Sequence, residues 1–319
     1  MRVLAARRYP GSAWEEVRDV EYFDWPLAKA RPGAEALVAV SRPVDAAVLD
    51  LLPDLRLVAN YGAGYELVDL EECEARGIVV TNTPGAVDAA TADLAFGLML
   101  AVRRRLVEGD RFVRAGRWGS DWAEEQLMGQ DVSGATLGIV GLGGVGTAVA
   151  RRAGAFDMRV VYAKRQRLDH AAELELGVQH RELDALLAEA DIVSLHVPHT
   201  KETDRLIDER RLGLMQDGAC LVNTARGAVV DEEALVGELV SGRLRAGLDV
   251  FVHEPRVPEA LYELPNVVLA PHLGTALPSA RESMTRVLVD NLLAFERGER
   301  PPNVVSSPLG DRELRGRRR

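Results

Sequence analysis

The stretch Thr136-Leu137-Gly138-Ile139-Val140-Gly141-Leu142-Gly143-Gly144-Val145-Gly146 decides how this chain is read. The apolar run Leu137–Val140 has the character of a buried strand, and Val145–Ala155 continues with helical patterning. Between them lies a match to G-x-G-x-x-G. Glycine-rich turns are common, so the pattern by itself is weak; placed between a strand and a helix it predicts a dinucleotide-binding turn. Gly141 permits the tight turn, Gly143 lets a pyrophosphate approach the backbone, and Gly146 lets helix and strand pack closely. The free N–H groups of this segment, those of Leu142, Gly144 and Val145 included, and the helix dipole favour phosphate charge.

Working outward, apolar strands alternate with helices. Thr136–Val140, Arg159–Tyr162, Ile192–Leu195, Cys220–Asn223, Ala246–Asp249 and Val267–Leu269 read as strands. Val145–Ala155, Leu183–Ala190, Asp208–Leu214 and Asp231–Ser241 read as the helices between them. Six strands with helical crossovers are what a doubly wound nucleotide-binding domain needs. Upstream, Val3–Ala6, Ala36–Val40, Leu57–Asn60 and Ile78–Thr81 read as strands, with helices at Val44–Leu51 and Asp69–Arg76. Gly77 stands where a helix C-cap glycine belongs. Thr91–Arg105 and Pro278–Arg297 read as long helices, the first with Asp88 and Thr91 able to cap it. The expected architecture is α/β, with two doubly wound parallel-sheet domains and a cleft between them. A flavodoxin-like substrate domain spans 1–98 and 287–319, completed by the C-terminal helix, and a Rossmann cofactor domain spans 99–286.

The composition agrees with this. At about 150 residues per domain, 319 residues suggest two domains. Charges sum to 39 − 49 = −10, with 28% charged and 47% hydrophobic residues, which excludes a disordered chain and argues against general nucleic-acid binding. Cys73 and Cys220 offer no disulfide framework, and no Cys/His cluster has metal-ligand spacing. The segment MRVLAARRYPGSAW lacks the apolar core of a signal peptide, and no apolar run is long enough for a membrane span. The expectation is a cytoplasmic protein with no metal, nucleic-acid or membrane partner. The terminal RGRRR reads as a disordered tail.

The end of the second strand of the nucleotide-binding half discriminates between cofactors. An Asp or Glu there usually holds the ribose 2′-hydroxyl of NAD. Here Ala163 is followed by Lys164, Arg165, Gln166 and Arg167, with no acid before Asp169. Cations attract a 2′-phosphate, whereas a carboxylate repels it, so NADP(H) is favoured and NAD(H) remains open. Val197, Pro198 and Thr203, after the strand Ile192–Leu195, are assigned to the cofactor pocket; His196 and His199 beside them read as pocket or surface residues. His170 and His180 are expected to face solvent.

Three further segments follow strands directly: Asn223-Thr224-Ala225-Arg226-Gly227, Asp249-Val250-Phe251-Val252-His253-Glu254-Pro255 and Ala270-Pro271-His272-Leu273-Gly274-Thr275. In open α/β sheets, ligands bind at such strand ends. Arg226 can grip a carboxylate with its planar fork, His272 can transfer a proton near neutral pH, and Glu254 can hold His272 in orientation. Each residue alone has an ordinary surface reading; together with the dinucleotide turn they make a catalytic set. His253, next to Glu254, is a decoy.

At this point the sequence resembles the D-isomer-specific 2-hydroxyacid dehydrogenases, over about 55–302. The matching motifs are GLGGVG at 141–146, NTARGAVVDEEAL at 223–235, GLDVFVHEP at 247–255 and PHLGT at 271–275. The resemblance implies Arg226 as substrate binder, Glu254 as partner and His272 as acid/base. It implies that Thr224, Ala225, Asp249, His272 and Gly274 meet the nicotinamide half of the cofactor. Asn60-Tyr61-Gly62-Ala63-Gly64-Tyr65 resembles the family's substrate loop, where the N–H groups of Ala63 and Gly64 bind a carboxylate; Tyr61 is larger than the residue often seen there. Thr91 resembles the position that reaches a cofactor phosphate. VTNTPGAVDAATADLAFGLML at 80–100, the Trp118…Trp122 segment and the Arg165-Gln166 pair are closest to the glyoxylate/hydroxypyruvate reductase branch. The tryptophans read as packing residues, or as a pocket wall from a partner subunit.

The resemblance and the apolar 92–105 helix imply a homodimer. The implied activity is NADPH-preferring reduction of glyoxylate or hydroxypyruvate to the D-2-hydroxy acid, with the proton from His272. Two alternatives stand beside it: another member of the family using NAD, and a non-enzymatic dinucleotide-sensing corepressor on the same fold.

Overall fold

Short apolar strands and aspartate-started helices build two parallel sheets. The computed structural model describes residues 1–119 and 124–306; Trp122 and the Arg-rich tail at 315–319 lie outside them. The chain divides into two compact units, Met1–Val87 with Ala276–Arg319, and Asp88–Thr275. The boundaries expected at 98/99 and 286/287 would each cut a long helix. Each of those helices instead belongs whole to one unit, because a helix buries its apolar stripe against one sheet.

In the first unit the elements run β1 (Val3–Ala5), β2 (Val20–Tyr22), β3 (Ala36–Ala39), α1 (Ala46–Asp50), β4 (Leu57–Asn60), α2 (Leu70–Ala75) and β5 (Val79–Thr81). The second unit holds α3 (Asp88–Arg103), α4 (Leu106–Arg114), β6 (Thr136–Val140), α5 (Gly144–Gly154), β7 (Arg159–Ala163), α6 (His170–Leu176), β8 (Val178–His180), α7 (Leu183–Glu189), β9 (Ile192–Leu195), α8 (Glu209–Leu214), β10 (Cys220–Asn223), α9 (Glu232–Val240), β11 (Arg245–Leu248) and β12 (Val267–Leu269). The chain then returns to the first unit with α10 (Pro278–Glu296) and β13 (Val304–Ser306).

The first sheet has the order β13-β5-β4-β3-β1-β2, parallel except for β13. Its parallel part, 2-1-3-4-5, is the flavodoxin-like order. The second sheet is β12-β11-β10-β9-β6-β7-β8. Counted within the unit, this is 3-2-1-4-5-6-7, the Rossmann order with one strand added. The sequence reading expected six strands there; the seventh is β8. Like β2 and β13, also unforeseen, β8 is a three-residue edge strand. β1, β5 and β12 are as short but lie in runs of three or more apolar residues, whereas β2, β8 and β13 have at most two in a row.

Alternation along each strand divides the core between the two faces of a sheet. Leu137, Ile139, Val160 and Tyr162 pack under α3 and α5. Val140, Val161 and Ala163 pack on the opposite face with residues of α7, α8 and α9. In the first unit, Val3, Ala36, Val38 and Leu57 face α10, whereas Leu4, Leu37 and Val58 face α1 and α2. Helix starts are set by aspartates. Asp45, Asp69, Asp169, Asp208 and Asp231 each accept a bond from the backbone N–H three residues on. Each cap satisfies one orphan donor and contributes about 1 kcal/mol. Asp88, expected as a cap, is instead the first helical residue of α3. Among the described residues, no helix is long and apolar enough to cross a membrane.

Leu137 is fully buried at the centre of the second sheet. Leu137→Ala should destabilise the protein by about 2–5 kcal/mol, through lost transfer energy and a cavity. Urea unfolding checks this, with a lower midpoint expected at unchanged slope.

Candidate active site

The glycine turn lies where the strand order reverses, with β6 between β7 and β9. Gly141 ends β6 at φ +94°, and a Cβ there would sit 2.7 Å from the carbonyl oxygen of His196 and from Cγ1 of Val197. The positive φ and this close approach both require glycine. Gly143 precedes α5, and a Cβ on it would meet nothing within 4 Å. The helix N-terminus therefore opens onto a cradle of the kind a pyrophosphate fills. Gly146 lies against the Gly141 carbonyl, which brings α5 close to β6. Asp88 packs its carboxylate on Gly144, and burial pushes that carboxyl upward.

The buried Nδ1 of His196, next to Gly141, and the buried Oγ1 of Thr224, after β10, lack protein partners among the described residues. His196 Nε2 lies 2.8 Å from Ser194 Oγ, and burial pushes its pKa down to about 4, so the ring is neutral at physiological pH. Thr203 Oγ1 donates to the Pro198 carbonyl at 2.6 Å and accepts from Thr200 N at 2.8 Å, fastening the segment that carries Val197 and Pro198.

At the end of β7, Lys164, Arg165 and Gln166 are exposed. Arg167, read from sequence as a cofactor cation, turns back instead. It donates to both carboxylate oxygens of Glu173 at 2.8 Å. Glu173 also accepts from Tyr162 Oη at 2.8 Å, so its carboxylate is almost shielded from water. Arg167 foremost, with Tyr162, pulls the Glu173 pKa down to about 2. A nearly buried carboxylate needs a partner, and Arg167 is within reach through a short turn. His180, expected to face solvent, is half-buried edge-on against Tyr162.

The segments after β10, β11 and β12 carry Arg226, Glu254 and His272 in turn. After β10, Asn223 shapes the turn: its Nδ2 donates to the Arg226 carbonyl at 2.9 Å and its Oδ1 accepts from Ala225 N at 3.0 Å. Arg226 is half-buried and donates from Nη1 to the Ala225 carbonyl at 2.7 Å. Gly227 presses on the backbone of Phe251 and Val252, so the turns after β10 and β11 leave no room for a side chain. After β11, Glu254 accepts from Phe251 N at 3.1 Å through Oε1 and faces His272 Nδ1 at 2.7 Å through Oε2. His253 is exposed and takes no part.

Asp249 holds the His272 turn. It is 1% exposed and accepts from Leu273 N at 2.6 Å and Gly274 N at 3.0 Å, while its carbonyl accepts from His272 N at 3.0 Å. Burial pushes the Asp249 carboxyl up, and the two N–H groups oppose that. The arrangement keeps His272 at φ +55°, a conformation rare outside glycine. Thr91 Oγ1 donates to the Gly274 carbonyl at 3.2 Å. Asn223 and Asp249 thus shape the turns that carry Arg226 and His272. Their only sequence signal is that each closes a strand before a polar turn.

In the first unit, the loop after β4 leaves Ala63 exposed and Gly64 half-buried. The bulk of Tyr61 points into the core, its ring tilted against that of Tyr9 and its hydroxyl donating to the Arg281 carbonyl at 2.9 Å. Trp118 is exposed. Among the described residues there is no cluster able to hold a metal ion. Cys73 and Cys220 are buried thiols, pushed up to about 11 and about 12 by burial.

Residues 96–274 match the family model for the NAD-binding domain of D-isomer specific 2-hydroxyacid dehydrogenases, and the chain belongs to that family. Within it the chain falls in the glyoxylate reductase branch, as an NAD(P)-dependent oxidoreductase. The glyoxylate reductase of Korarchaeum cryptofilum is 50% identical over 97% of this chain and 96% of its own. That of Thermococcus litoralis is 48% identical over 89% of this chain and 86% of its own. The NADPH-dependent glyoxylate/hydroxypyruvate reductase of Sinorhizobium meliloti, solved with NADP and malonate, superposes with a TM-score of 0.84, at 34% identity over 96% of each chain.

The Arg167–Glu173 pair has a pH signature. A carboxyl lowered from 4.5 to about 2 stabilises the fold above pH 4.5, and the contribution is lost as pH falls toward 2. Glu173→Gln should therefore lower the melting temperature at pH 7 and flatten the acid limb of its pH profile. Calorimetry between pH 2 and 7 measures both.

Proposed function

We propose that this chain reduces small 2-oxo acids of the glyoxylate and hydroxypyruvate type to D-2-hydroxy acids, with NADPH preferred over NADH. The observation that carries the reading is the 2.7 Å contact between His272 Nδ1 and Glu254 Oε2. With Nδ1 turned to the carboxylate, Nε2 is the atom that hands a proton to a keto oxygen. Glu254 orients the ring and stabilises its charged form. Arg226 binds the substrate carboxylate and polarises the keto oxygen, and the N–H groups of Ala63 and Gly64 bind the carboxylate. When bound, the reduced nicotinamide supplies the hydride to C2. The proton from His272 completes the hydroxyl, and the neutral ring recovers a proton from water. The names of the relatives support the substrate class.

The cradle at Gly143, Leu142 to Gly146 around it, and Thr91 hold the pyrophosphate in this reading. Val197, Pro198 and Thr203 line the adenosine side, and Thr224, Ala225, Asp249 and Gly274 the nicotinamide side. The NADPH preference rests on Lys164 and Arg165 at an end of β7 that has no carboxylate before Asp169. A homodimer belongs to the same reading, supported by the exposed Leu106, Val107 and Val113 of α4.

A spectrophotometric panel of glyoxylate, hydroxypyruvate and pyruvate, each with NADH and NADPH, tests the assignment. Turnover of the first two with NADPH is expected, and chiral analysis should find D-glycerate from hydroxypyruvate. No turnover of any 2-oxo acid would refute the activity, and a preference for NADH would refute the cofactor assignment.

His272→Ala should cut kcat by about 100-fold or more, the usual scale of general acid catalysis, with NADPH binding retained by fluorescence titration. An unchanged kcat would remove His272 from the mechanism.

A further inference from the structure

The loop after β4 is held from behind by two asparagine side chains that no part of the proposed reaction uses. Asn60, almost fully buried at the end of β4, donates from Nδ2 to the Gly62 carbonyl at 3.0 Å and to the Gly64 carbonyl at 2.7 Å. Asn82, just after β5, donates from Nδ2 to the Ala63 carbonyl at 2.8 Å. Thr83 N adds a bond to the Gly62 carbonyl at 3.0 Å. Three successive carbonyls are therefore engaged.

A trans peptide unit is planar, with the C=O of one residue pointing opposite to the N–H of the next. Fixing the carbonyls of Gly62, Ala63 and Gly64 thus fixes the N–H directions of Ala63, Gly64 and Tyr65. Among the described residues, none of these three N–H groups donates to a protein acceptor. A turn whose carbonyls are all satisfied presents only donors, and successive backbone donors attract an anion.

The pins are themselves anchored. Asn82 N donates to the Asn303 carbonyl at 3.2 Å, and the Asn82 carbonyl accepts from Asn291 Nδ2 at 3.1 Å. Asn291, on α10, is fully buried, and its Oδ1 accepts from Asn303 N at 3.0 Å. The C-terminal helix and the segment before β13 thereby brace the loop. Asparagine is required at both pins because the amide supplies N–H donors; an aspartate of the same shape would turn a carboxylate oxygen toward carbonyls.

We propose that Asn60 and Asn82 are positioning residues for substrate recognition: by holding three carbonyls they aim the N–H groups of Ala63, Gly64 and Tyr65 at the substrate carboxylate. This rests on the 2-oxo acid reading above.

The test uses oxamate, an unreactive carboxylate probe, titrated calorimetrically into the NADPH-bound protein, alongside glyoxylate kinetics. Asn82→Asp leaves the core untouched, and Asn60→Asp repeats the change at the second pin. Each should weaken oxamate binding and raise KM for glyoxylate by about tenfold, the scale of a hydrogen bond to a charged group, with kcat changed far less. The dissociation constant for NADPH and the melting temperature of Asn82→Asp should stay at wild-type values, which a merely structural role would not predict. Wild-type oxamate affinity in both variants, or losses of NADPH affinity and thermal stability that parallel the loss of oxamate binding, overturns the asparagine assignment alone. A wild-type protein that neither binds oxamate nor reduces glyoxylate overturns the underlying reading as well.

Discussion

The buried carboxylate of Asp249 is the constraint on which the catalytic side of the second unit depends. A carboxylate that is 1% exposed is costly to bury unless its oxygens are bonded. Leu273 N and Gly274 N supply those bonds, so the turn after β12 must curl back on the end of β11. That curl holds His272 in a left-handed conformation and brings its Nδ1 to Glu254. Asp249 therefore acts through backbone geometry, and the desolvation it pays is exchanged for the placement of a half-exposed imidazole. Strain in a non-glycine residue at such a place persists only because the surroundings over-determine it.

The same logic recurs at the basic end of β7, at the glycine turn and in the loop after β4. Arg167 neutralises Glu173 within the fold, while Lys164 and Arg165 keep their charges at the surface. Gly143 leaves room at a helix start, and the asparagines around residues 62–64 fill the carbonyl side of a turn so that only its N–H side is open. A chain with formal charge −10 can thus still present oriented N–H groups and local cations of the kind that favour an anion. Much of the surplus negative charge has structural work of its own, as the aspartates at helix starts show.

Both sheets, the long helices and the glycine turn were legible in the sequence. Apolar strands buried on both faces read as continuous runs, and aspartates and glycines punctuate them. The short edge strands β2, β8 and β13 were not legible, because polar residues break their apolar character to at most two in a row, whereas the equally short β12 lies in the run Val267–Ala270. The domain boundaries were misplaced for a related reason. A helix that joins two units has one continuous pattern, and only its packing tells which unit it belongs to.

Residue chemistry at strand ends, by itself, determined which groups were available: a histidine, a glutamate, an arginine and a glycine turn, each following an apolar strand. That much is local and survives in a string of letters. Tertiary structure decided which of them meet. It brought Glu254 Oε2 to His272 Nδ1, and it turned Arg167 back onto Glu173. It also turned Tyr61 into the core and set two asparagines behind the loop it leads into. Hydrogen-bond partners far apart in sequence are chosen by the registers and turns that bring strand ends together, and burial then makes those pairings obligatory.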